Sequence, residues 1–223
     1  MTVKPEVLKN ACYFTKLDLQ ILEDIGSHAT ETKYSSGDVI LWQGDEHEMF
    51  YFVMSGTVKL FASSAEGREF IVRLAYGGDS FNDDNIFDKG PNALSAMAMS
   101  PVMLYGLSWR DLSQVLNSYP QVHSRIAKVF AARQRYLLRL AAELVFKNVT
   151  GRLAGLLLER EKLARAGGEQ VKITQQEMAF MIGTVREIVS RSLRELEAMG
   201  TISLKHNQIV ITDRNKLSEL SEL

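Results

Sequence analysis

Short apolar runs separated by polar turns dominate the first hundred positions. Tyr34 opens a run that turns at Ser36-Gly37-Asp38 into Val39-Ile40-Leu41-Trp42, and Gln43-Gly44-Asp45 leads to Met49-Phe50-Tyr51-Phe52-Val53. Ser55-Gly56 then leads to Thr57-Val58-Lys59-Leu60-Phe61, Ala65-Glu66-Gly67 to residues 69–74, and Gly77-Gly78-Asp79 closes the series. Strand-length segments bounded by Gly, Asp and Ser at roughly ten-residue intervals predict an all-β roll. After Pro101 the texture changes. Ser108 with Asp111 three residues later predicts a helix start, and Pro120 predicts the first turn of a long helix reaching about residue 145.

Along that helix Ile126, Phe130, Leu137, Leu140 and Leu144 recur at alternating four- and three-residue steps, with Arg133 in the remaining position. The spacing makes a coiled-coil-like seam. Packing onto the chain's own domain is the ordinary use of such a stripe. A length of about 39 Å exceeds what a small roll covers, which favours a homodimer seam. Asn148 predicts the cap of a further helix from 149 to about 166, ended by Gly167-Gly168, with a hinge at 146–148. The chain is therefore expected to be α+β, with an effector-sensing roll at 1–118, a dimerisation helix and hinge at 119–147, and a winged helix-turn-helix at 148–223.

Residues 171–212 carry the most specific pattern. Thr174 with Glu177, and Thr184 with Glu187, are two capping-box signatures, and Gly183 lies between the helices they would begin. On the second helix Val185, Ile188, Val189, Leu193, Leu196 and Met199 gather on one side, while Arg186, Glu187, Ser190, Arg191 and Arg194 occupy the other. Arg donates two bonds to guanine, Glu accepts from cytosine, and Ser is small enough to admit a groove edge. A charged helix face is ordinarily solvated surface. Here it follows a capped helix and precedes Thr201-Ile202-Ser203-Leu204, a turn at His206-Asn207, and Gln208-Ile209-Val210-Ile211, a hairpin suited to a wing. Together these predict a DNA reader.

Charge permits that reading without demanding it. The chain has 223 residues and a net charge of −1; residues 1–146 hold 14 Lys/Arg against 17 Asp/Glu, and residues 147–223 hold 12 against 10. The single Cys12 excludes an intrachain disulfide and a multi-thiolate metal site. No signal-peptide pattern or membrane-length apolar run is evident, so the expectation is a cytoplasmic protein. No phosphate loop, nucleophile elbow or metal-ligand spacing is present, which argues against an enzyme. The rival class is a regulatory or interaction module without specific DNA readout.

These motifs resemble the CRP/FNR family, named for the cyclic-AMP receptor protein and the fumarate and nitrate reduction regulator. Val149-Thr150-Gly151-Arg152-Leu153-Ala154 is similar to the family's first helix after the hinge. Ile173-Thr174-Gln175-Gln176-Glu177-Met178-Ala179 through Gly183-Thr184-Val185-Arg186-Glu187-Ile188-Val189-Ser190-Arg191 resembles its helix-turn-helix. Gly37-Asp38-Val39-Ile40 and the ten residues 51–60 resemble its roll. The resemblance implies a homodimer on a palindromic operator, an effector in the roll, and RNA polymerase as a partner. It implies Glu187 and Arg191 on one G·C pair, Arg186 on a second, Ser190 near a thymine, and a TGA-containing half-site core. Arg194, Thr174, Gln175 and Thr184 complete the expected DNA-contacting set.

The family's cyclic-AMP site uses a Glu, an Arg-Ser pair and a Thr-Ser pair; the matching positions here are Asp83, Leu94-Ser95 and Leu137-Leu138. A cyclic phosphate facing Leu94 would lose a charge-assisted bond worth about 1.5–3 kcal/mol, so cyclic AMP is not the expected effector. An iron-sulfur cluster needs more cysteines than Cys12. Leu94, Met97, Met99, Leu137 and Leu138 suit an apolar effector such as haem, although the Met alternation fits core packing better. An axial ligand would come from His28, His47, His123 or His206, which form no motif. Asp79, Asp83, Asp84 and Asp88 fit loop solubility better than a cation site, and nothing in the sequence supports Cys12 as a redox switch.

Overall fold

The computed structural model describes residues 8–84, 87, 89–165, 171–205 and 208–222. The expected helix stop at Gly167-Gly168, the turn at His206-Asn207 and Asp88 lie outside them. The chain divides into two compact units, Met1–Gln134 and Arg135–Leu223.

The first unit begins with α1 (Leu19–His28) and continues through β1 (Thr30–Tyr34), β2 (Val39–Leu41), β3 (Met49–Ser55), β4 (Val58–Ser63) and β5 (Glu69–Ala75). Next come β6 (Ser80–Phe81), β7 (Ser95–Ala98), β8 (Val102–Ser108) and α2 (Trp109–Ser118). The strands form two antiparallel four-stranded sheets, ordered β1-β8-β3-β6 and β2-β7-β4-β5. This is the expected roll.

Strand β3 shows why its sequence lacks alternation. Phe50 and Phe52 join a core with Tyr13, Phe14, Leu22, Ile25, Leu107, Leu112 and Val115, whereas Tyr51 and Val53 join one with Leu60, Phe81, Ala96 and Leu104. A strand buried on both faces reads as a continuous apolar run. At the β3–β4 turn Gly56 has φ +84, and a Cβ there would stand 2.3 Å from the Pro101 carbonyl oxygen. No other residue fits that turn without moving the chain.

The sequence reading closes the strand series at Gly77-Gly78-Asp79, whereas the strands continue beyond it. Residues 102–108 form β8, the strand that pairs with both β1 and β3, and helix begins only at Trp109. Ser108 is both the last strand residue and the helix cap, its Oγ accepting from the Asp111 amide at 3.2 Å as the spacing predicted. An uninterrupted strand-to-helix passage leaves no turn residues to mark it.

Helix α3 (Gln121–Phe146) crosses from the first unit into the second. The second unit then holds α4 (Val149–Arg165), α5 (Gln175–Ile182), α6 (Arg186–Ala198), the hairpin β9 (Ile202–Lys205) and β10 (Gln208–Ile211), and α7 (Arg214–Leu220). Asn148 Oδ1 accepts from the Gly151 amide at 2.8 Å, the expected cap. Leu153, Ala154, Met178, Ala179, Val189, Leu193, Leu196, Ile202 and Leu217 make one core. No described helix is long and apolar enough to cross a membrane.

Candidate functional site

The helix pair of the second unit is set by its caps. Thr174 Oγ1 accepts from the Glu177 amide at 3.2 Å, and Glu177 Oε2 accepts from the Thr174 amide at 2.6 Å, a complete capping box. Gly183 ends α5 with φ +67, and the Thr184 amide bonds back to the Ala179 carbonyl at 2.9 Å. The second expected capping box does not form. Val185 is the N-cap of α6 and makes no side-chain cap bond, because Thr184 closes the preceding helix instead of opening the next.

On α6, Val189, Ser192, Leu193 and Leu196 are buried, and the Ser192 hydroxyl lies 3.1 Å from Thr150 Oγ1. Arg186, Glu187, Arg191 and Arg194 are exposed, and Ser190 is half-buried. Among the described residues Arg186 and Arg191 have no side-chain partner, and Arg194 reaches only Ser190 Oγ, at 3.5 Å. Thr174 is exposed, and Gln175 and Thr184 are half-buried. The expected apolar face is narrower than the spacing implied: Val185 and Met199 are 55% and 36% exposed. Both sit at the ends of the helix, beyond the reach of the core. The result is a helix anchored by aliphatic side chains, with guanidinium groups unspent on its outer face.

The six seam positions of α3 divide. Ile126 is buried in the core of the first unit, Phe130 packs against that core and against Phe87, and Arg133 is bonded within the chain. Leu137 and Leu144 are exposed and Leu140 is half-buried, while Leu138, Val145 and Phe146 add exposed apolar surface that the heptad spacing did not mark.

Arg133 reaches the densest polar cluster of the first unit. Its Nη1 donates to Asp83 Oδ1 at 2.5 Å, and its Nη2 donates to the Ser80 carbonyl and hydroxyl oxygens, each at 2.6 Å. Asp83 also accepts from Tyr13 Oη and, at 2.6 Å, from Ser80 Oγ. Cys12 Sγ lies 3.2 Å from Ser80 Oγ, and Arg73 Nη2 donates to the Ser80 carbonyl at 2.6 Å. Burial alone would raise the Asp83 carboxyl, but the charge and hydrogen bond of Arg133, with those of Ser80 and Tyr13, hold it below the usual range. Burial pushes the Tyr13 phenol and the Cys12 thiol up, so both stay protonated.

Asp83, expected in an effector pocket, is thus fully engaged inside the chain. Leu94 packs against the core between the sheets, Ser95 Oγ accepts from the Gln43 amide at 3.0 Å, Met97 pairs with Val39 and Lys59, and Leu137 and Leu138 belong to the second unit. His28 pairs with Asp24 and Asp111, His47 bonds Tyr51 Oη at 2.8 Å, and His123 Nδ1 lies 3.1 Å from the Pro120 carbonyl; His206 is outside the described residues. Asp79 accepts from the Tyr76 amide in a turn, and Asp84 is exposed. Sequence reasoning did not single out Tyr13, Ser80 or Arg73. They come together only through the roll's topology, and their spacing carries no motif.

Two family models match the chain: a cyclic nucleotide-binding domain over residues 31–119 and a Crp-like helix-turn-helix domain over residues 151–220. The cAMP-activated global transcriptional regulator CRP of Pasteurella multocida is 31% identical over 195 residues, 85% of this chain and 93% of that protein. Among solved structures, the c-di-GMP responsive regulator CLP of Xanthomonas campestris superposes with a TM-score of 0.78 at 23% identity, covering 87% of this chain and 99% of that one. FixK2 of Bradyrhizobium japonicum gives 0.74 at 26% identity, covering 86% and 96%. With its roll followed by a capped helix pair and hairpin, the chain belongs to the CRP/FNR family of DNA-binding transcription regulators.

Proposed function

We propose that the protein acts as a homodimer that reads a palindromic operator through α6 and is controlled by an effector other than cyclic AMP in its first unit. The observation that carries the DNA reading is the outer face of α6, where Arg186 and Arg191 have no partner among the described residues while the opposite face is buried. A guanidinium fork left free on a helix rim suits the O6 and N7 edge of guanine. Glu187 and Arg191 read one G·C pair and Arg186 a second, with Ser190 against a thymine. Exposed Val185, at the entrance of the helix, suits a thymine methyl group. Arg194, Thr174, Gln175 and Thr184 contact the backbone, and RNA polymerase is the partner that a bound dimer would influence.

Pairing runs along the exposed end of α3, through Leu137, Leu140 and Leu144 with Val145 and Phe146 beside them. Leu94 at the position of the family's phosphate-binding Arg, and the engagement of Asp83 by Arg133, support an effector other than cyclic AMP. The test is a gel shift on a palindromic TGA-containing operator with wild type and Arg191→Ala. Loss of one bidentate base contact, about 1–3 kcal/mol, predicts a roughly 5- to 150-fold loss of specific affinity. Equal losses on specific and random DNA would refute a base-reading role.

A further inference from the structure

Arg152 stands in the opening turns of α4, within residues 149–154, and the DNA reading leaves it without a part. Its half-buried side chain turns back and bridges two stretches of backbone. Nε donates to the Ile182 carbonyl at 2.8 Å, and Nη1 donates to the Lys147 carbonyl at 2.6 Å. Ile182 is buried and ends α5, and Lys147 follows Phe146, the last residue of α3. Carbonyls at a helix C-terminus lack an intrahelical partner and carry partial negative charge, so a guanidinium suits both. Two bonds from one rigid, planar group hold their acceptors at a fixed separation and direction, which an ammonium on a flexible stem cannot.

Apolar packing gives the hinge no such anchor. The core of the second unit takes Leu153, Ala154 and Leu157 of α4 together with residues of α5 and α6, but Val145 and Phe146 stay 74% and 81% exposed. Asn148 bonds the Gly151 amide, within the first turn of its own helix. Arg152 instead reaches from the hinge to the end of α5, next to Gly183, the left-handed residue through which the chain passes toward α6. We propose that Arg152 is a positioning residue: it locks the direction of the hinge to the turn that aims α6, and so sets the half-site spacing that a dimer accepts. Each base pair added at the centre of a palindrome moves one half-site by about 3.4 Å and rotates it by about a tenth of a helical turn. A reading helix fixed to the hinge resists that displacement, and a loosened one follows it.

This inference rests on the proposed dimer reading a palindrome, and the experiment separates the two. The full-length protein is titrated by fluorescence anisotropy against palindromic TGA-containing operators whose centre is one base pair shorter, unchanged or one base pair longer, and against a duplex carrying one half-site. The wild type should favour one spacing by about tenfold or more, because an ill-spaced dimer forfeits base contacts. Arg152→Gln should cut that preference to about threefold or less, with half-site affinity within about twofold of wild type, and Arg152→Lys should match it because one ammonium does not replace the fork. A preference unchanged in both variants, or fully kept in Arg152→Lys, overturns the role. So does an equal loss on palindrome and half-site, which would make Arg152 a support of the fold alone. A wild type that binds the half-site but shows no spacing preference refutes the dimeric reading itself, and this inference with it.

Discussion

Replacing Asp83 by Asn tests whether the cluster around Ser80 holds α3 to the roll. The carboxylate side chain is 4% exposed and its partner Arg133 is 22% exposed, so neither charge is rescued by much solvent. Breaking a buried pair by removing one partner costs about 3–5 kcal/mol, because the other charge is left uncompensated. The amide keeps one acceptor oxygen, and Arg133 keeps its two bonds to Ser80, which places the loss near the lower end, about 3 kcal/mol. With a urea dependence of about 2 kcal/mol/M, the unfolding midpoint falls by about 1.5 M. Both tryptophans lie in the first unit, so their fluorescence reports its unfolding; protein concentration is held fixed because the stability of the proposed dimer would depend on it. Arg133→Met has a comparable cost, since it leaves Asp83 charged and buried. The double variant removes both charges and is expected to be at least about 2 kcal/mol more stable than the two losses summed. Additive losses, or a single loss below about 1 kcal/mol, would show that the pair does not hold the helix.

Because Asp83 titrates below its unfolded value, its contribution is fully present above the ordinary aspartate range and is lost as pH falls through the folded value. The stability gap between wild type and Asp83→Asn should close in acid, and a gap that widens there contradicts the assignment. Gly56→Ala should cost more than Gly183→Ala, because it meets the Pro101 oxygen at 2.3 Å as well as adopting φ +84, whereas the second variant bears about 1 kcal/mol of left-handed strain. Calorimetry of both orders them. Leu137→Asp with Leu144→Asp should halve the mass seen by light scattering without changing tryptophan fluorescence, and an unchanged mass refutes the seam.

What the sequence made legible followed from local chemistry. Ser108, Asn148 and Thr174 cap where their spacing predicted, since a cap needs only a side chain and an amide three residues on. Thr184 failed by the same logic: the signature was present, but the left-handed Gly183 committed its amide to α5. The apolar stripe of α3 was legible but not its division, because heptad spacing does not say which partner covers a residue. Ile126 went to the roll, and Arg133 went to Asp83, fifty positions away. Strand β8 was obscured because a strand buried on both faces and running into a helix presents neither alternation nor a turn. Arg73 meets the Ser80 carbonyl only through the fold, which no local spacing encodes.

Helix α3 continues without a break from the residue clasped by Asp83 to Phe146. Thirteen residues at ~1.5 Å each make a stiff arm of about 20 Å beyond that clasp. A tilt of about 5° at Arg133 sweeps the far end through almost 2 Å, by simple lever geometry over that length. Any change in the Asp83–Arg133 clasp is thus felt farther along the same helix than at the clasp itself.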